Sequence, residues 1–191
     1  MLLKSKLYYE NLLRYRCEHV GRNLMLYGEV PFITGTGKIY IGDDVEIFDK
    51  VTFFTGGHVY EDSEIKIGNG CSLGFMVQLR VAQRIEIGNN CMIAGWVRIS
   101  DYDGHPLVPG RKEKGLKVGQ EDVKPVIIED DVWIGEGAII LKGVTIGKGS
   151  IISSGSVVTR SVPPMKIVMG NPGRVAMWVA DAKESQSGAD G

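Results

Sequence analysis

Three histidines, His19, His58 and His105, are the residues of this chain best suited to moving protons near neutral pH. Imidazole, with an unperturbed pKa of about 6.5, can act there as a base or an acid. His105 stands in the segment SDYDGHPL, next to two carboxylates. Asp101 or Asp103 could fix its tautomer and raise its basicity, and a backbone carbonyl could do the same. His58 follows Gly56 and Gly57 and is a candidate for contact with a bound molecule. His19 lies in a charged, leucine-bearing N-terminal stretch and reads as a surface residue. Cys17, Cys71 and Cys91 lack the spacing of metal ligands, and no metal site is expected.

What must position these groups is a repeat. From Val126 to Val162 the chain reads VIIEDDVWIGEGAIILKGVTIGKGSIISSGSVVTRSV, with Ile128, Ile134, Ile140, Ile146, Ile152 and Val158 six apart. Two residues before each later member stands something small or β-branched: Val132, Ala138, Val144, Ser150 and Ser156. Neither an amphipathic helix nor a two-sided strand has a period of six. A very short strand followed by a turn does, and its repetition makes a parallel β-helix. Three units form a triangular coil of eighteen residues, so Ile128 is predicted to stack under Ile146, Ile134 under Ile152 and Ile140 under Val158.

Earlier coils follow the same rule at Ile41, Ile47 and Phe53, at Ile67, Leu73 and Leu79, and at Ile87, Ile93 and Ile99. The register breaks three times. Eight residues are extra between Phe53 and Ile67, two between Leu79 and Ile87, and twenty-three between Ile99 and Ile128. Each break follows the third strand of a coil, so all three insertions leave the prism at one corner. Loops gathered this way usually form the binding face of a repeat array. His58 and His105 then belong to loops two coils apart, with roots on the order of 10 Å from each other.

Around this core, residues 1–21 read as an amphipathic capping helix over 2–20, residues 22–162 as the β-helix with external loops at 54–63 and 101–123, and 163–191 as a closing segment. Arg22 to Lys38 is irregular. Pro163 and Pro164 end the ladder, because proline has no N–H to give it. RVAMWVADAKE at 174–184 reads as a short helix and the tail SQSGADG as disordered. With a net charge of −1 the chain has no basic field for nucleic acid. No stretch reaches the roughly 20 apolar residues of a membrane span. The opening MLLKSKLYYENLLRYR lacks the features of a signal peptide, so a cytoplasmic location is expected. Cys71 and Cys91 occupy the small position of the repeat and read as reduced core thiols.

The coils, SDYDGHPL, VWIGEGAIILKGVTIGKGSIISSGSVVTRSVPP and the closing GNPGRV together resemble hexapeptide-repeat acyltransferases, over roughly residues 30 to 176. The likeness is strongest to sugar O-acetyltransferases and xenobiotic acetyltransferases. It implies an all-β, left-handed parallel β-helix, a homotrimer, and acetyl-CoA bound in the groove between neighbouring prisms. It also implies direct acetyl transfer to a saccharide hydroxyl, with His105 as general base. Trp133, outward in VWIG, would lie beside the transfer site or in a subunit contact. Gly135, Ser154, Gly155, Thr159 and Arg160 align with positions that hold the pantetheine arm and the adenine nucleotide. Arg160, Lys166 and Arg174 are candidates for its phosphates, since guanidinium forks and lysines suit phosphate oxygens. Glu136 departs from the small hydroxyl residue that the resemblance leads one to expect after WIG.

Three other readings use the same fold. One is N-acetylation of an amino sugar or O-acetylation of a xenobiotic. Another is a non-catalytic trimeric scaffold, against which the presence of His105 argues. A zinc lyase like the γ-type carbonic anhydrases needs three His ligands, and only His58 and His105 fall near each other.

Overall fold

The computed structural model describes residues 8–56, 62–105, 108–111, 113–115 and 118–180. Within them the chain winds into a three-sided prism of short strands. Its first coil comprises β1 (His19–Val20), β2 (Met25–Tyr27) and β3 (Phe32–Thr34). The second has β4 (Lys38–Ile41), β5 (Glu46–Phe48) and β6 (Thr52–Thr55), and the third β7 (Glu64–Ile67), β8 (Ser72–Leu73) and β9 (Gln78–Val81). The fourth has β10 (Arg84–Ile87), β11 (Met92–Ile93) and β12 (Arg98–Ser100). The fifth has β13 (Val126–Ile128), β14 (Trp133–Ile134) and β15 (Ile139–Ile140), and the sixth β16 (Thr145–Ile146), β17 (Ile151–Ile152) and β18 (Val157–Val158).

Every third strand stacks in parallel to form one wall: β1 to β16 in the first sheet, β2 to β17 in the second, β3 to β18 in the third. The six-residue period sets the observed register. Ile128 pairs with Ile146, Ile134 with Ile152, and Ile140 with Val158. Their side chains point inward and are fully buried or nearly so, together with the equivalent residues of the second, third and fourth coils. Burying one such aliphatic side chain contributes about 1.5–3 kcal/mol, and the prism repeats that gain on all three walls.

The corner between first and second sheets is locked by a side-chain ladder. The backbone N–H of Arg22 donates to Asp43, that of Asp43 to Asn69, that of Asn69 to Asn89, and that of Asn89 to Asp130, at 2.7–2.9 Å. The residues that follow, Asn23, Asp44, Asn90 and Asp131, have φ of 56–58°. Asn and Asp tolerate this left-handed region better than other non-glycine residues.

Both ends of the prism differ from expectation. The N-terminal helix α1 spans only Glu10–Arg16 among the described residues, and His19 lies in β1 rather than in a helix. The chain straightens there because Glu18 N–H bonds Ile39 O at 2.9 Å and Val20 pairs with Ile41. An additional coil, β1–β3, therefore fills the irregular stretch before Lys38. Val20 and Leu26 keep the spacing of six, but one extra residue before Ile33 hides the pattern. Beneath this coil Leu13 is buried in the core. Arg14 donates to the carbonyls of Val20 and Gly21, and Arg16 to those of Gly35 and Gly37. These arginines satisfy first-coil backbone acceptors at the end of the solenoid.

At the other end, residues 174–178 are strand and not helix. Strand β19 (Lys166–Met169) extends the second sheet, and β20 (Arg174–Trp178) pairs with it antiparallel after the turn at 170–173. The free edge of β19 offers backbone partners, and residues 174–178 take them, overriding helix propensity. Among the described residues of the expected helix only 179–180 are helical; 181–191 lie outside the described residues, as do 1–7. Ser150 and Ser156, in columns that hold Val132 and Ala138 one coil below, serve the closure. Ser150 Oγ donates to Pro163 O and accepts from Lys166 N–H, and Ser156 Oγ accepts from Gly170 N–H.

All three cysteines are buried and free. Burial pushes the Cys17 thiol up to about 12. Cys71 donates to Gly88 O and Cys91 to Glu129 O, each in the next coil. The neighbouring Cys71 and burial push the Cys91 thiol up. The expected outcome is that no thiol of the folded protein reacts with Ellman's reagent at about pH 8, whereas all three react after unfolding in guanidinium. Prompt labelling of the native protein would show that the interior holding these thiols is open to solvent.

Candidate active site

All three insertions leave the prism between the third and first sheets, as their spacing requires: after β6, after β9 and after β12. The eight-residue insertion includes residues 57–61, so His58 lies outside the described residues. The two-residue insertion is held by Asp101. Its carboxylate accepts the backbone N–H groups of Ala82, Gln83 and Arg84, each at 2.7 Å. Asp101 is fully buried, and burial pushes its carboxyl above the usual carboxylate range while the three amides pull it down. Both of its oxygens are engaged by backbone, which makes it the peg of this corner.

The long loop starts and ends on the same peg. Lys124 N–H donates to Asp101 O, and Tyr102 forms an antiparallel bridge with Val123. Lys142, in the turn between β15 and β16, reaches across the root. Its Nζ lies 2.5 Å from Asp103 Oδ2 and 2.9 Å from Asp122 O. Arg111 Nη1 and Gly119 N–H both donate to Asp122 Oδ2, at 3.2 and 3.3 Å. His105 follows Gly104, whose φ of 80° turns the chain outward, and its imidazole is exposed. Among the described residues it has no hydrogen-bond partner. Asp103, one of its two candidate orienting carboxylates, is paired with Lys142.

Sequence reasoning passed over Lys142. A signal was there: Ile140 and Ile146 keep the spacing of six, so Lys142 falls on the insertion corner, directly above the long loop.

The other candidates sit elsewhere on the prism. Trp133 points outward from the second sheet and is about half exposed, between Met92 and Ile151 in register. Gly135 lies at the corner between second and third sheets, where a Cβ would stand 2.6 Å from Ser154 N and 2.9 Å from its Oγ. Ser154 and Gly155 occupy the same corner one coil higher and are exposed. Gly155 has a φ of 70°, and a Cβ there would meet nothing within 4 Å. Thr159 and Arg160 are exposed after β18, on the insertion corner, about 10 Å along the axis from the root of the long loop. Lys166 opens β19 with its ammonium 2.8 Å from the centre of the Trp178 ring, and Arg174 donates to the adjacent Gly173 carbonyl. A single chain thus gathers Asp103, His105, Thr159 and Arg160 on one edge and Gly135, Ser154 and Gly155 on another, with the third sheet between them.

Residues 125–160, strands β13 to β18, match the family model described as bacterial transferase hexapeptide (six repeats). Nodulation protein L of Rhizobium leguminosarum bv. viciae is 36% identical in an alignment 148 residues long that covers 71% of this chain and 75% of that protein. A galactoside O-acetyltransferase of Escherichia coli (strain K12) is 35% identical over 74% of this chain and 64% of its own length. The crystal structure of a maltose O-acetyltransferase from Clostridium difficile 630 superposes with a TM-score of 0.58 at 26% identity, covering 88% of this chain and 73% of that one.

Identity and coverage of this extent place the chain in the hexapeptide-repeat transferase family, and its prism is the left-handed parallel β-helix that the repeat implies. The chain spans about half the length of several curated relatives it matches, 58%, 45% and 41% in three of them. Among the described residues no group of His, Cys, Asp and Glu is arranged to hold a metal, and no helix is long and apolar enough to cross a membrane.

If Lys142 holds the long loop down, Lys142→Ala will raise the rate of tryptic cleavage between residues 110 and 118 at least about fivefold. The thermal midpoint should fall by only about 2–4 °C, the effect of roughly 1 kcal/mol in a domain this size. An unchanged cleavage pattern would mean that the loop is anchored without this lysine.

Proposed function

We propose that this chain is an acetyl-CoA-dependent O-acetyltransferase that transfers acetyl directly to a hydroxyl of a saccharide. The observation that carries the reading is His105: an exposed imidazole with no hydrogen-bond partner among the described residues, presented at the corner where all three insertions emerge, on a prism whose relatives are named as galactoside and maltose O-acetyltransferases. The thioester brings an already activated acyl group, so the protein needs a base and oxyanion donors rather than a covalent nucleophile. His105 takes the proton of the acceptor hydroxyl as its oxygen attacks the acyl carbon, and later returns that proton to the departing thiolate. Asp103, held by Lys142, or a backbone carbonyl orients the imidazole.

The chain offers a bed for the donor. Open space beyond Gly155 and the close approach of Gly135 to Ser154 leave a smooth corner on which a pantetheine arm can lie. Arg160 is exposed with no carboxylate partner among the described residues and suits a phosphate. Lys166 and Arg174 serve the same end of the donor.

Base and bed lie on different edges of one prism, which favours a site completed between copies in a homotrimer. An outward row on the second sheet supports such packing: Met92, Trp133, Ile151, Ile167 and Met177 stand in register on successive strands. Contiguous apolar surface of this kind is normally covered. The same reading places the protein in the cytoplasm, where its three thiols stay reduced.

The test is titration calorimetry with CoA, with acetyl transfer to maltose and methyl galactoside followed by thiol release. His105→Ala should bind CoA as the wild type does and lose about 10²–10⁴ in kcat. Absence of CoA binding in an intact oligomer would sink the reading in favour of a scaffold.

A further inference from the structure

Arg80, on the outer face of β9, is a cation at the insertion corner that the proposed chemistry leaves unused. It stands in register between Phe54 of β6 and Ser100 of β12. The guanidinium carbon lies 5.8 Å from the centre of the Phe54 ring and 5.8 Å from that of Tyr102, at the root of the long loop. A Cβ on Gly104 would stand 3.8 Å from Arg80 Nη2, and His105 is the next residue along the chain. One Cα-to-Cα step of about 3.8 Å therefore separates the residue above this guanidinium from the candidate base.

No ion pair among the described residues includes Arg80. Its Nε is buried and has no hydrogen-bond partner among the described residues. The two carboxylates on the same loop root are engaged elsewhere, Asp101 by backbone amides and Asp103 by Lys142. A half-buried guanidinium normally finds a carboxylate, since an unpaired charge at such a place is costly. Lying over two rings offsets part of that cost. What results is a donor fork with no carboxylate partner among the described residues, beside the loop that presents His105. Such a fork matches the paired oxygens of a carboxylate or phosphate, which a lysine does not.

We propose that Arg80 is a specificity-determining residue that receives an anionic group, carboxylate or phosphate, on the saccharide acceptor. The inference rests on the acetyltransferase reading, because it takes the molecule approaching His105 to be the acceptor. Phe54 and Tyr102 act as positioning residues, through the guanidinium that lies over their rings.

The experiment measures binding of three probes by ligand-observed NMR: methyl β-D-glucuronide, glucose 6-phosphate and methyl β-D-glucoside. Wild-type protein should bind at least one charged sugar about tenfold more tightly than the neutral glucoside, and whichever gains more identifies the anion. This preference should shrink as salt is raised, as for any charge-assisted contact that water can reach. In Arg80→Gln the preference should disappear while binding of the glucoside and the thermal midpoint stay as they were. Arg80→Lys should keep only part of it, because charge remains and the fork does not.

Equal affinity for charged and neutral sugars in the wild type, or no binding of any of them, overturns the proposal without need of a variant. A preference that persists in folded Arg80→Gln overturns it too, and reduces Arg80 to a stack that steadies Tyr102. CoA titrated into the same samples reports separately on the acetyltransferase reading. CoA binding without anion preference removes the role of Arg80 alone; anion preference without CoA binding removes the transfer chemistry and leaves an anion site.

Discussion

The stacking of one coil on the next governs this structure. Strand hydrogen bonds run between coils, so each residue finds its backbone partner one full turn away. The short strands gain little from their immediate neighbours in sequence. Register is kept by two columns of matter: the aliphatic interior, typified by Ile134 under Ile152, and the Asp43–Asn69–Asn89–Asp130 ladder on one corner. An extra residue inside a strand would turn every following side chain to the wrong face. Extra length is therefore tolerated only at corners.

That constraint also explains how the ends are built. A solenoid must close its first and last coils by other means than another coil. Here α1 supplies Leu13 to the core and two arginines to the orphaned carbonyls at the bottom. At the top two serines replace interior aliphatics and bond the proline-interrupted segment, and β20 covers the edge of β19. Both devices exchange apolar packing for hydrogen bonds where the ladder has no further strand to offer.

The candidate site occupies the place where the constraint relaxes. At the insertion corner, Asp101 replaces coil-to-coil bonding with three amide bonds of its own, and Lys142 fastens the loop root from the coil above. His105 thus stands on a loop with a rigid base, which suits a group that must meet a substrate at fixed geometry.

The period of six was enough to establish the three walls, the pairing of Ile128 with Ile146, and the single corner from which the loops carrying His58 and His105 emerge. These are linear properties, readable because each unit repeats the same local chemistry. The first coil was illegible because one residue before Ile33 breaks its count, and β20 because the unpaired edge of β19 outweighs its local propensity. Only the tertiary structure decided that Asp101 faces amides, that Asp103 faces Lys142, and that Arg80 lies between two rings with no carboxylate partner among the described residues. Those contacts join residues from different coils through insertions of unequal length. Pairing of charges depends on distance in space, which spacing in sequence does not encode once a loop intervenes.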